Sequence, residues 1–269
     1  MSRLPAPVTA LLKEIETRLP AILTRNFVGV YLYGSLTQRA FDLRRSDVDA
    51  IVVTRRVLTG SEFRAVAAWL RRTASVNRWA RRLQLSFLLE DRVLTRNAPA
   101  CLCQFGRLRR SRSDGNPIIW MNVLASGRVL RGPPARTFVP PITRSMLVEA
   151  LEREVGYLRH ELARPKSTWR NVAAYRVYAV LTVCRILYSL RAGAVVSKPR
   201  AARWAVRRFP AKYHGLVRRA LRAHTAGRRA PGLTLARLAE LVEFAGEQVR
   251  AEAIILDAQP DRRLRPRAK

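Results

Sequence analysis

Cysteine and histidine are scarce in this sequence, with three of each in 269 residues. Cys101, Cys103 and Cys184 form no CxxC pair, and His160, His214 and His224 stand apart from them, so no zinc site is expected and all six read as structural. No apolar run approaches the roughly 20 residues that span a bilayer, and the first twenty residues lack the pattern of a signal peptide. The expectation is a soluble, cytoplasmic protein with no membrane partner. Lysine is also rare: Lys13, Lys166, Lys198, Lys212 and Lys269 are the only lysines among 51 basic residues.

Arginine makes up the rest. Set against 19 acidic residues, it gives a formal net charge of +32 and a pI near 11.7. A surplus of that size points toward nucleic acid or another phosphate-rich ligand. The arginines are nevertheless spread along the chain in pairs such as Arg55-Arg56, Arg109-Arg110 and Arg207-Arg208, with no basic arm or stripe. Solvated faces and a high-GC coding bias account for that spread, and a nucleic-acid partner stays open on charge alone.

The pattern of apolar residues divides the chain. Helical spacing at 8–19 predicts an opening helix that Pro20 interrupts or kinks. Residues 27–33 and 47–54 read as strands, 61–73 as a helix, and 83–89 as a third strand with Gln84 and Ser86 on one face. Residues 95–141 hold ten Gly and Pro positions and read as turns with one helix around 118–125. The domain junction is expected near Pro140-Pro141. Beyond it, 146–162, 169–191, 198–209, 211–224 and 233–255 suit amphipathic helices. The predicted class is α+β: a mixed sheet with flanking helices over 1–141, an all-α helical bundle over 142–257, and a disordered basic tail over 258–269.

The chemistry concentrates in residues 28–54. Gly34, at a strand end, lets backbone approach a phosphate, and the Ser35 hydroxyl with neighbouring N–H groups can donate to its oxygens. Asp47 and Asp49 lie two apart on a strand, so both carboxylates share a face while Val48 enters the core. Two hard anionic ligands on one strand suit a Mg²⁺ pair. Ser46, beside them, is counted with the nucleotide-binding residues.

Strand, Gly-Ser, short polar connection and Asp-x-Asp together resemble the polymerase-β-like nucleotidyltransferases. Residues 30–54, VYLYGSLTQRAFDLRRSDVDAIVVT, resemble the opening of the streptomycin/spectinomycin adenylyltransferases. Residues 179–213, AVLTVCRILYSLRAGAVVSKPRAARWAVRRFPAKY, resemble their C-terminal helical domain, and Gly132-Pro133-Pro134 fits the turn before it. The resemblance implies a two-domain enzyme, with Mg²⁺ as cofactor, ATP as co-substrate and AMP moved to a hydroxyl of a small aminoglycoside-like acceptor; a monomer is expected. It further implies that Arg185 and Lys198 lie near the phosphates.

Two departures accompany it. The third carboxylate of such enzymes, a general base, falls where this chain has Gln84, and an amide has no useful basicity near neutral pH. Glu90 shares that strand face but lies roughly 20 Å away, and Glu149, Glu152, Glu154 or the substrate itself remain alternatives. The acidic residues that read cationic amino sugars are replaced by a stretch holding Tyr175, Arg176 and Tyr178. Tyr175 and Tyr178, with Trp169 and Trp204, offer either stacking surfaces for an acceptor or core packing. An RNA-directed nucleotidyltransferase and a degenerate nucleotide or nucleic-acid binder lacking the base are the rival readings.

Overall fold

The computed structural model describes residues 4–227 and 232–258. The expected disordered tail lies outside them except for Ala258, which closes the last helix. The chain forms two compact units, residues 1–141 and 142–269.

The first unit opens with α1 (Ala6–Leu23), whose Val8, Leu11, Leu12, Ile15 and Leu19 are buried along one stripe. The helix continues through Pro20, so the proline does not interrupt it. Leu19 and Leu23 are buried on either side of the proline, and the Thr24 N–H closes the last turn on the Pro20 carbonyl. Apolar burial thus outweighs the hydrogen bond that proline removes. Strand β1 (Phe27–Tyr33) and strand β2 (Val48–Thr54) pair antiparallel. Helix α2 (Gly60–Val76) carries the crossover to β3 (Leu83–Leu89), which lies parallel to β2.

Segment 95–141 holds more structure than its turn residues suggest. Helix α3 (Pro117–Ser126) is present, but so are strands β4 (Pro99–Gln104), β5 (Arg107–Arg112) and β6 (Arg128–Arg131). The six strands run in the order β5-β4-β3-β2-β1-β6. Val30, Leu32, Val48, Ala50, Val52, Leu83, Leu85 and Phe87 line one sheet face and join the buried stripes of α1 and α2 in a single core. Cys101 and Cys103 are buried in the same core, and burial pushes the Cys103 thiol up to about 11. The opposite face carries Asp49 and Gln84, directly paired across β2 and β3.

The second unit is helical: α4 (Arg144–Ala163), α5 (Thr168–Asn171), α6 (Ala173–Ala192), α7 (Lys198–Arg208), α8 (Ala211–Ala226) and α9 (Leu235–Ala258). The single helix expected over 169–191 is two, because Val172 leaves helical geometry between α5 and α6. Among the described residues, α6 alone is long and apolar enough to cross a membrane, and it is the mostly buried centre of this unit. Arg159 grips Glu243 through two bonds of 2.8 and 2.7 Å, and Arg144 holds Glu252 at 2.9 Å, so α4 is tied to α9 twice. Trp204 packs edge-on between Tyr188 and Phe209, which places it in the unit's aromatic interior.

Candidate active site

Asp49 enters β2 opposite Tyr33 on one side and Gln84 on the other. Gly34, the first residue after β1, has φ +78°, and a Cβ there would sit 2.4 Å from Asp49 Oδ2. Backbone sign and carboxylate proximity each require glycine. The chain then coils through one tight turn: the Gln38 N–H and Thr37 hydroxyl donate to the Gly34 carbonyl at 3.1 and 3.2 Å, and the Ala40 N–H donates to Ser35 O at 3.0 Å. The first N–H groups of such a turn point away from it, which is the arrangement that receives phosphate. The side-chain Nε2 of Gln38 is buried without a hydrogen-bond partner, an orphan donor in that turn.

A second turn delivers Asp47. The Asp42 carboxylate accepts from the Arg44 N–H at 2.9 Å and pairs with Arg45 at 2.5 Å. Burial opposes its charge, yet the Arg44 N–H and the Arg45 and Arg44 guanidinium groups hold its carboxyl down at about 2. Ser46 accepts from the Asp42 N–H through Oγ at 2.9 Å and donates its own N–H to the Asp42 carbonyl at 2.8 Å. Its side chain therefore braces the loop leading to Asp47. Phe41 anchors the same loop on the Trp79 ring, 5.4 Å between centroids.

Gln84 reaches Asp47, not only Asp49's strand position: its Nε2 donates to Asp47 Oδ2 at 3.1 Å. Arg82, two residues earlier on the same side of the chain, brings Nε to 3.8 Å from Asp47 Oδ1. Its guanidinium also lies 4.9 Å over the Trp79 ring and donates to the Leu43 carbonyl at 3.0 Å. Glu90, at the far end of β3, pairs with Arg55 at 3.5 Å. Among the described residues there is no group of three His, Cys, Asp or Glu side chains placed to hold a metal. The carboxylates of Asp49, beside the side-chain-free Gly34, and of Asp47, two residues earlier, remain as hard oxygen ligands, and that donor type fits magnesium.

The helical unit gathers its own expected residues. Lys198, the first residue of α7, places Nζ 4.0 Å over the Tyr178 ring. Tyr178 and Arg185 are seven apart on α6 and so share one stripe. Between them Thr182 Oγ1, like Arg185 Nε, is buried without a hydrogen-bond partner. Trp169 packs edge-on against Tyr157, Tyr175 and Tyr178 at 5.6, 5.5 and 5.3 Å, while the three tyrosines remain part-exposed. Glu149, Glu152 and Glu154 lie on α4, with Glu149 3.9 Å from Arg153. Sequence reasoning overlooked Arg82, Gln38 and Thr182.

A strand–turn–strand that sets the Asp49 carboxylate against a glycine turn, with Asp47 two residues before it, is the arrangement expected of a nucleotidyltransferase. Residues 137–250 match the family model for the C-terminal domain of aminoglycoside adenylyltransferase. The chain is similar to the aminoglycoside adenylyltransferases. An aminoglycoside (3'') (9) adenylyltransferase of Klebsiella pneumoniae is 26% identical over 81% of this chain and 86% of its own length. A spectinomycin 9-adenylyltransferase of Campylobacter jejuni is 24% identical over 93% of this chain and 96% of its own. The spectinomycin adenyltransferase AAD(9) from Enterococcus faecialis, solved with ATP and spectinomycin, shares the fold at TM-score 0.69 and 13% identity, covering 90% of this chain and 99% of that one.

Proposed function

We propose that this protein transfers AMP from Mg-ATP to a hydroxyl of a small aminoglycoside-like acceptor, working as a cytoplasmic monomer. The observation that carries the reading is the Gly34 turn set against the Asp49 carboxylate, with Asp47 immediately before β2. Magnesium held by Asp47 and Asp49 would supply charge neutralisation and polarisation of the α-phosphate.

The chain's own groups divide the remaining work. Ser35 and the N–H groups of the turn donate to phosphate oxygens, and Gln38 offers one further donor. The resemblance assigns to Lys198 and Arg185 the charge that develops on the departing pyrophosphate. Tyr175 and Tyr178 give the acceptor a part-exposed aromatic surface. The acceptor oxygen attacks the α-phosphorus, the bond to the β-phosphate oxygen breaks, and pyrophosphate leaves with the electron pair. Gln84 cannot take the hydroxyl proton, so another base takes it, an unprotonated amine of the acceptor being one that the substrate itself supplies.

An RNA acceptor is a second reading, favoured by the formal charge of +32. Pyrophosphate release from Mg-ATP, measured with streptomycin, spectinomycin, a tRNA pool or no acceptor, separates the two. Stimulation by a drug is the expected result. Stimulation by tRNA alone would replace the amino-sugar reading, and silence in every lane would favour an untested acceptor or a nucleotide binder without transfer.

A further inference from the structure

A pair of cations clamped between substrate and enzyme needs carboxylate lone pairs facing both metal positions. Here both oxygens of Asp47 meet nitrogen donors instead: Gln84 Nε2 at 3.1 Å from Oδ2, and Arg82 Nε at 3.8 Å from Oδ1. Rotating the Gln84 amide to present its oxygen would set two acceptors against each other, so the N–H is the end that faces Asp47. Arg82 is fixed in place. Its guanidinium lies over Trp79, a ring that is 1% exposed and carries Phe41 on the same indole, and it is further held by the Leu43 carbonyl.

Charge balance points the same way. Two carboxylates and one guanidinium leave a single negative charge, and one divalent cation converts it to a single positive charge. Three carboxylates with two divalent cations arrive at that same value. With the same triphosphate bound, two cations beside Arg82 would leave the site two charge units more positive than either of those arrangements, a repulsive difference in a part-buried site.

We infer that this site works with one divalent cation, and that Arg82 and Gln84 bring to Asp47 the positive charge and hydrogen bond that take the place of a second. The inference rests on the proposed nucleotidyl transfer and deepens it. Arg82 is a positioning residue, acting through Asp47.

The test is Mn²⁺ binding to the full chain saturated with α,β-methylene-ATP, with nucleotide occupancy measured on the same samples and bound Mn²⁺ followed by electron paramagnetic resonance. The wild type is expected to hold one Mn²⁺ per nucleotide with no Mn–Mn coupling. Gln84→Glu, which replaces a donor by an acceptor and adds a charge, is expected to hold two coupled ions. Arg82→Met keeps an apolar stem over Trp79 while removing the charge, and should tighten Mn²⁺ binding about three- to tenfold by relieving repulsion. Two coupled ions in the wild type, or unchanged Mn²⁺ affinity in a folded Arg82→Met, would overturn the inference while leaving the nucleotide site intact. Absence of analogue binding at any Mn²⁺ concentration would overturn the nucleotidyltransferase reading and the inference together.

Discussion

Gly34 and Asp49 test the site in complementary ways. Adding one methyl group in Gly34→Ala forces a Cβ to within 2.4 Å of Asp49 Oδ2 at φ +78°. Relief requires either a flipped turn or a displaced carboxylate, at about 1–3 kcal/mol of stability. A metal-ligating carboxylate moved by about 1 Å costs on the order of 100-fold in turnover. Asp49→Asn, by contrast, keeps the shape and removes the charge, so turnover should vanish while the thermal midpoint stays put. Pyrophosphate release and melting curves on both variants check this, and an active Asp49→Asn would remove Asp49 from the site. These residues were legible in sequence because glycine, serine and two aspartates at fixed spacing have few other uses in combination. Arg82 was not, since one arginine among so many carries no signal until Trp79 and Asp47 are seen beside it.

Among elements, the start of α2 shows how the crossover is secured. Thr59 and Glu62 form a reciprocal capping box, and Glu62 also binds Arg56 at 3.1 and 3.2 Å and the buried Asn26 at 3.1 Å. Asn26 in turn accepts the Arg56 N–H, so the segments bounding β1, β2 and α2 meet at one carboxylate. Burial raises the Glu62 pKa, but the Thr59 N–H and hydroxyl and the Arg56 guanidinium outweigh it and lower the net value. A depressed carboxyl contributes stability above its unfolded pKa of about 4, and that contribution disappears as pH falls through the lower folded value. Glu62→Gln should therefore lose about 2 kcal/mol near neutral pH, with the gap to wild type narrowing on acidification. Denaturant melts of both proteins at several pH values measure it; a gap that widens in acid would sink the assignment.

Strands β1, β2 and β3 were readable in the same unit because β-branched runs fill a buried sheet. β4 begins at Pro99, and β5, with sequence RLRRSR, is an edge strand with mostly exposed arginines, so neither shows apolar alternation. β6 is an edge strand of four residues, too short for any period to register. The break at Val172 escaped notice for the opposite reason: the apolar pattern runs on across it while the backbone does not.

For the molecule as a whole, charge is the unusual quantity. If every one of the 19 carboxylates took a single cationic partner, 32 of the 51 lysines and arginines would still lack one. Like charges at that density repel and oppose the compact state, and salt screens them with a Debye length of about 10 Å at 0.1 M. Raising NaCl from about 20 mM to about 300 mM should thus raise the apparent thermal midpoint by several degrees, where most proteins change little. Alkaline pH offers no comparable relief, because only five of the basic groups are lysines and arginine stays charged. Acid acts in the opposite direction: neutralising the carboxylates carries the formal charge from +32 toward +51 while also dissolving the pairs at Asp42 and Glu62. Stabilisation by salt should accordingly be larger near pH 3, where most carboxylates are neutral, than near pH 8. Melting curves across that grid decide the matter, because a midpoint indifferent to salt at both pH values would mean that the arginines are dispersed enough for water alone to screen them.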